Sequence, residues 1–216
     1  MTKRGFFVSF EGGDGCGKTT QMRLLVERLK GMGLDVLETA EPGGTPIGRQ
    51  IRKILLDSAN QELSARAELL LYFACRAQNV DEWIRPALEG GRVVVSDRFT
   101  DSTLAYQGEG RALTAGLVRE LHGIACQEVL PDLTIYLDID YRAGLARARA
   151  RNDARDAAAM ADEKRMDEQA EEFHARVREG YVALAAAEPG RIRTIDAGQS
   201  VAAVAAAIWN EVGPHV

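Results

Sequence analysis

Short, almost wholly apolar runs alternate along this chain with longer segments whose apolar positions recur every three to four residues. Residues 6–10 (FFVSF) read as a buried strand, and residues 18–30 continue as a helix with Met22, Leu25, Val26 and Leu29 on one face. Residues 35–39 predict a second strand. Residues 47–56 have helical spacing, and residues 63–88 hold one long helix or two shorter ones. Residues 92–96 (RVVVS) predict a third strand, 113–129 a helix and 133–138 (LTIYLD) a fourth strand. Two helical segments, 142–151 and 165–187, flank a stretch rich in Ala, Asp and Arg. A strand at 192–195 and a helix at 201–211 complete the pattern.

Strands of this kind, apolar on both faces and separated by helices, predict an α/β fold: a parallel five-stranded sheet covered on both sides in a three-layer sandwich. No repeat and no Pro- or Ser-rich linker divides the chain, so residues 1–216 are expected to form a single domain. Ligands of such sheets sit beyond the carboxyl ends of the strands, so the loops leaving those ends are the first place to seek chemistry.

Composition narrows the class. A chain of 216 residues with 46% hydrophobic and 27% charged residues buries a core without disulfides, which excludes wholesale disorder. The longest apolar run near the C-terminus covers residues 201–209, and a spanning helix needs about 20 residues, so no membrane partner is expected. The apolar run after the basic N-terminus is too short for a signal peptide, and the expected location is cytoplasmic. A net charge of −5 argues against a nucleic-acid binder held by excess positive charge. Cys16, Cys75 and Cys126 lie far apart with no CxxC pair, which suggests a reducing compartment and argues against zinc. Of 27 basic residues, 22 are Arg, so their placement matters.

The first strand leads into Gly12, Gly13, Asp14, Gly15, Cys16, Gly17, Lys18 and Thr19, a match to G-x-x-x-x-G-K-[ST] between a strand and a helix. Glycines let the backbone wrap a phosphate with its N–H groups inward, and the helix directs its positive dipole end at the same point. Lys18 would reach the outer phosphates, and the Thr19 hydroxyl would hold Mg²⁺. After the second strand comes EPGGTP, then Arg49, Arg52 and Lys53 on one helix face. After the third comes Asp97-Arg98, a carboxylate able to reach a metal and a guanidinium able to fork two phosphate oxygens. Arg147, Arg149, Arg151 and Arg155 lie before or within a polar stretch of small residues, 152–164, that reads as mobile, and together these mark a lid at about 147–165.

The segments FEGGDGCGKTT, EPGGTPIGRQIR, SDRFTDSTLAYQG, PDLTIYLD and the Arg-rich stretch before RMDEQ resemble the thymidylate kinases (dTMP kinases) of the bacterial type, in order and over nearly the whole chain. The resemblance implies a P-loop nucleoside monophosphate kinase that moves the ATP γ-phosphate to dTMP, gives dTDP and ADP for dTTP synthesis, uses Mg²⁺ and works as a homodimer. It also implies roles. Residues 12–19 with Thr20 would hold the ATP phosphates. Asp14 would face the 3′-hydroxyl of dTMP, and Arg52 and Arg98 would clamp its phosphate. Glu41 and Pro42 would border the dTMP site, Tyr72 would stack on thymine, and Arg76 would reach a base carbonyl. Thr103 and Gln107 would complete base recognition, with Asp97 beside metal and phosphate. Lys18, Arg98, Arg149 and Arg151 would act on the transferring group.

Arg49 stands where this pattern commonly has Glu, the 151–165 segment is longer and richer in Ala and Asp than expected, and the phosphate loop carries Gly15 and Cys16 where some relatives have a basic residue. Two rivals share the phosphate loop: a kinase for another nucleotide or nucleoside, and a P-loop NTPase switch. The switch reading lacks both N-K-x-D and a D-x-x-G after the loop. His122, His174 and His215 are read as having no catalytic duty.

Overall fold

The computed structural model describes residues 4–111, 113–153, 165–166 and 169–216, with backbone alone for 151–153. Five parallel strands form one sheet in the order β2-β3-β1-β4-β5. They are β1 (Phe7–Glu11), β2 (Val36–Ala40), β3 (Val93–Asp97), β4 (Leu133–Asp138) and β5 (Ile192–Asp196). The expected parallel sheet is therefore present. Its first three strands end one residue later than the sequence pattern predicts, at Glu11, Ala40 and Asp97, because each end residue still pairs in the ladder.

The helices are α1 (Lys18–Gly31), α2 (Pro46–Leu56), α3 (Ala65–Asn79), α4 (Arg85–Glu89), α5 (Thr100–Thr103), α6 (Ala115–Cys126), α7 (Tyr141–Asp153), α8 (Glu171–Ala187) and α9 (Val201–Val212). Hydroxyl caps start several of them. Thr45 accepts from Gly48 N–H at 3.0 Å, Ser64 from Ala67, Thr114 from Leu117 and Ser200 from Ala203. Each satisfies an orphan donor of the first turn. The segment predicted as one helix or two over 63–88 is α3 and α4 joined by a π-helical turn, Val80–Ile84. Thr100–Thr103 and a π-helical stretch at Leu104–Gly110 have no apolar period, so the sequence pattern gives no element there. The helix expected from 165 begins at Glu171 instead. Buried Arg165 holds its own stretch in a turn, its Nε donating to Leu55 O at 2.6 Å.

Alternation along β1 divides the core. Val8 and Phe10 pack with Leu25, Leu29, Val204 and Ile208 on the α1/α9 side. Phe7 packs with Ile84, Leu88, Val94 and Phe99 on the other. Ser9 and Glu11 share the Phe7 face by the two-residue period of a strand, which carries buried polar groups toward the end of the sheet where the phosphate loop begins. Among the described residues no helix is long and apolar enough to cross a membrane.

His122 on α6 sits against Phe99, with Nδ1 2.8 Å from the Thr100 hydroxyl. Burial, then the nearby Arg76 charge, push its imidazole down to about 4, against the attraction of Asp101. An unfolded histidine binds its proton near 6.5, so below that value the unfolded chain takes up a proton that the native one refuses. Stability is thus full above 6.5 and falls as pH drops toward 4, and His174 is shifted in the same direction, first by burial. In His122→Gln the loss of melting temperature between about pH 7 and about pH 5 is expected to shrink; an unchanged slope would contradict this.

Candidate active site

β1 ends at Glu11 and the chain turns at once into the glycine loop. Gly12 has φ 136° and Gly15 has φ 71°, both in the left-handed half of the map. A Cβ on Gly12 would lie 2.6 Å from Leu137 O, and one on Gly15 would lie 2.0 Å from Gly144 O. The loop is thus wedged against β4 and against α7, and both glycines are required by that approach. α1 then starts at Lys18, and its first turn carries no side-chain cap and no acidic residue. Its N–H groups and dipole favour an anion there. The Lys18 ammonium lies over the loop and donates to Gly12 O at 3.1 Å and Gly13 O at 2.9 Å. Cys16 is buried in the core, whereas Thr19 and Thr20 are exposed on the first turn of α1.

β3 lies beside β1, and at its end Asp97 is half-buried next to Arg98. Arg98 has φ 71°, a conformation that costs a side-chain-bearing residue free energy and persists only when its surroundings hold it. Among the described residues five acceptors hold the guanidinium. Nη1 donates to Gly12 O at 3.1 Å, Ser102 Oγ at 3.1 Å and Tyr181 Oη at 3.2 Å. Nη2 donates to Asp14 Oδ1 at 3.0 Å and Tyr106 Oη at 3.1 Å. Burial pushes the Asp14 carboxyl up, but Arg98, Lys18 and His174 together outweigh it and hold Asp14 below the usual carboxylate range. Arg98 and Lys18 converge on the same Gly12 carbonyl, so the strand-end guanidinium is fastened to the phosphate loop.

A second cluster lies under α3. Arg76 is 1% exposed and pairs through Nε with Glu41. Its Nη2 donates to Thr103 Oγ1 at 2.9 Å and Phe99 O at 3.2 Å, and its Nη1 is buried with no partner among the described residues. Burial disfavours the charge, yet Glu41 outweighs it and keeps Arg76 protonated. Asn79 donates to the other Glu41 oxygen at 3.1 Å. Tyr72, half-buried four residues before Arg76, shares its side of α3, and burial pushes its phenol up to about 12. Arg52 donates to Pro42 O at 2.9 Å, and Arg49 donates to Gly44 O at 3.1 Å on the surface of the same loop.

The structure therefore brings Asp14, Lys18 and Arg98 together, and separately Glu41, Arg76 and Thr103. Gln107 is buried but turns its Nε2 to Glu68 at 2.9 Å, in a cluster with Arg111 and Arg165. Arg149 is exposed on α7, while the side chain of Arg151 and all of Arg155 lie outside the described residues, as does most of the expected lid. Sequence reasoning missed Glu11, Ser102, Tyr106 and Tyr181. Ser102 and Tyr106 lie inside the DRFTDSTLAYQG segment, and Glu11 is a charged residue ending a buried strand. Tyr181 carries no local signal, for it reaches Arg98 from 83 positions away.

Thr19 and Asp97 supply hard oxygen donors near the loop. Among the described residues no group of three or more His, Cys, Asp or Glu is arranged to hold a metal. Mg²⁺ is commonly held by only one or two protein oxygens together with substrate phosphates and water, and this donor set suits it.

A family profile described as Thymidylate kinase matches residues 10–208. The chain is 52% identical over 207 residues to the thymidylate kinase of Solidesulfovibrio magneticus, covering 96% of this chain and 98% of the relative. It is 50% identical over 197 residues to that of a Geobacter species, covering 91% and 86%. The crystal structure of thymidylate kinase from Ehrlichia chaffeensis superposes with a TM-score of 0.76 at 31% identity, covering 97% of this chain and 99% of that one.

Proposed function

The chain belongs to the thymidylate kinase family and phosphorylates dTMP to dTDP with ATP as donor; from that premise we propose which of its residues do so. The supporting observation is the convergence of Lys18 and Arg98 on the Gly12 carbonyl. Direct transfer needs two phosphate sites face to face with positive charge between them and water excluded. The loop of residues 12–19 with Thr20 takes the ATP phosphates, with Lys18 on the outer ones. Arg98 clamps the acceptor phosphate with Arg52, and Asp14 accepts from the sugar hydroxyl. Thr19 and Asp97 would hold Mg²⁺, which would supply positive charge against the charge developing on the transferring phosphate.

Thymine lies against Tyr72, with Glu41 and Pro42 bordering the pocket and Thr103 and Gln107 at its far side. The unpartnered Nη1 of Arg76 supports a hydrogen bond to a base carbonyl. Arg76→Ala is expected to weaken dTMP binding by about 1.5–3 kcal/mol, the range for a charge-assisted hydrogen bond, and to spare ATP binding. The same change strands the Glu41 carboxylate, so it is also expected to lower stability by about 3–5 kcal/mol. Calorimetric titration at a temperature where circular dichroism shows the variant folded separates the two. Equal losses for both nucleotides would leave Arg76 a purely structural residue.

We also infer a homodimer. α2, α3 and α6 pack side by side and expose Ile47 (50%), Leu70 (50%) and Ile124 (76%). Ile47 and Ile54 are seven apart, as are Leu117 and Ile124, so each pair forms a stripe on one helix face. A single-chain mass by light scattering at working concentration would remove this proposal. A cytoplasmic location is supported by three buried free thiols, and recovery of the chain outside the cytosol on cell fractionation would overturn it.

A further inference from the structure

Glu11 is fully buried where β1 meets the phosphate loop, and among the described residues every donor on it comes from the segment that carries Arg98 or from α8. Phe99 N–H donates to Oε1 at 2.7 Å. The hydroxyls of Ser102 and Tyr181 both donate to Oε2, the latter at 3.0 Å. The same two hydroxyl oxygens accept from Arg98 Nη1, and they lie 2.8 Å from each other. A hydroxyl has one proton. Burial, then the Asp101 charge, push the Glu11 carboxyl up to about 7, against Ser102, Arg98 and the Phe99 N–H. The carboxylate therefore prevails above that pH, where the titrations below are to be made. With a carboxylate at position 11 both protons point to Glu11, and both lone-pair sides are left for the guanidinium.

We propose that Glu11 is a positioning residue for the kinase reaction: it fixes the proton direction of Ser102 and Tyr181 and so holds Arg98 in the orientation that clamps the acceptor phosphate. The inference rests on the reading of Arg98 as that clamp. Two further features make Arg98 depend on such support. Its backbone is in the left-handed region, and the next residue, Phe99, is tied to Glu11 through its N–H. An amide in place of the carboxylate reverses the pattern. If the amide oxygen keeps the Phe99 N–H, the NH₂ faces the two hydroxyls, whose protons then turn toward Arg98 and repel it. If the amide flips, its NH₂ meets the Phe99 N–H.

Calorimetric titration of dTMP and of thymidine, which lacks the phosphate, tests this with Glu11→Gln, Tyr181→Phe and Arg98→Ala in parallel. Glu11→Gln is expected to weaken dTMP by about tenfold or more, the scale of one charge-assisted hydrogen bond, and to leave thymidine within about twofold. Tyr181→Phe keeps the ring stacked on Tyr136, with centroids 5.0 Å apart, and removes only the hydroxyl. It is expected to show a smaller loss of the same selectivity, and no additive loss when combined with Glu11→Gln. Parent-like dTMP binding by folded Glu11→Gln would overturn the proposal, as would equal losses of dTMP and thymidine. Should Glu11→Gln fail to fold, a selective loss in Tyr181→Phe upholds the proposal and its absence overturns it. If Arg98→Ala also preserves the preference for dTMP over thymidine, the clamp reading itself fails; if only Arg98→Ala abolishes it, this inference alone fails.

Discussion

Lys18→Ala is expected to yield a folded chain whose kcat is lower by at least about 10²–10³, the loss that accompanies removal of one preorganised donor from a reacting centre. Among the described residues the ammonium bonds only to its own loop, at Gly12 O, Gly13 O and Cys16 Sγ, so no other described element hangs on it. Its removal takes a full positive charge from a loop that also carries the Asp14 carboxylate. Thymidine binding should persist, because the acceptor pocket proposed around Arg76 is built from other segments. Steady-state kinetics with a melting curve on the same sample check this. Near-parent turnover would remove the phosphate loop from the reaction.

The second large effect is expected on α7. Its N-terminal turn lies on the phosphate loop, where a Cβ on Gly144 would come within 2.5 Å of Asp14 O. Arg147 turns to Ala197 O at 3.3 Å, away from the loop. Arg149 follows two positions on, roughly across the helix from Arg147; burial lowers the His174 imidazole, Asp14 opposes that, and the Arg149 charge adds to it. We propose that Arg149 or Arg151 meets the transferring phosphoryl group when both nucleotides are bound, with Arg155 further along the chain. Replacing the responsible residue by Ala is expected to lower kcat by about 10³–10⁵, the worth of an arginine at such a centre. The KM for dTMP should change far less, since the contact forms in the transition state. Lysine should recover only part, for a point charge lacks the planar fork. If each single variant stays within a few-fold of the parent, the missing charge must come from Arg49 or a neighbouring subunit.

The sheet was legible because β1, β3 and β4 are apolar runs with no competing helical period, and because GKT marks the junction of β1 and α1. Ends moved by one residue where a polar side chain finishes a strand, as at Glu11 and Asp97, because ladder pairing outlasts the apolar pattern. Thr100–Gly110 was invisible as structure. Its residues Asp101, Ser102, Thr103 and Gln107 are buried by hydrogen bonds, and periodicity reports only apolar burial. The site divides the same way. Glycines, Lys18 and Arg98 stand in local motifs whose chemistry can be read from spacing. Tyr181, Glu68 and Arg165 act through contacts 39 to 170 residues long, which no local pattern encodes. The Glu41–Arg76 pair lies between, since both residues were singled out but the ion pair that binds them was not.

A phosphate acceptor site joined to a thymine pocket makes a double demand on the substrate, and parallel turnover measures both halves at once. ATP-dependent ADP formation is followed with dTMP, dUMP, dCMP, dGMP and thymidine at equal concentration. dTMP is expected to have the highest kcat/KM, thymidine to give no product because Arg98 has no phosphate to orient, and dCMP and dGMP to fail at the base. Turnover of thymidine, or a kcat/KM for dCMP or dGMP equal to that for dTMP, would contradict a joined phosphate and thymine site.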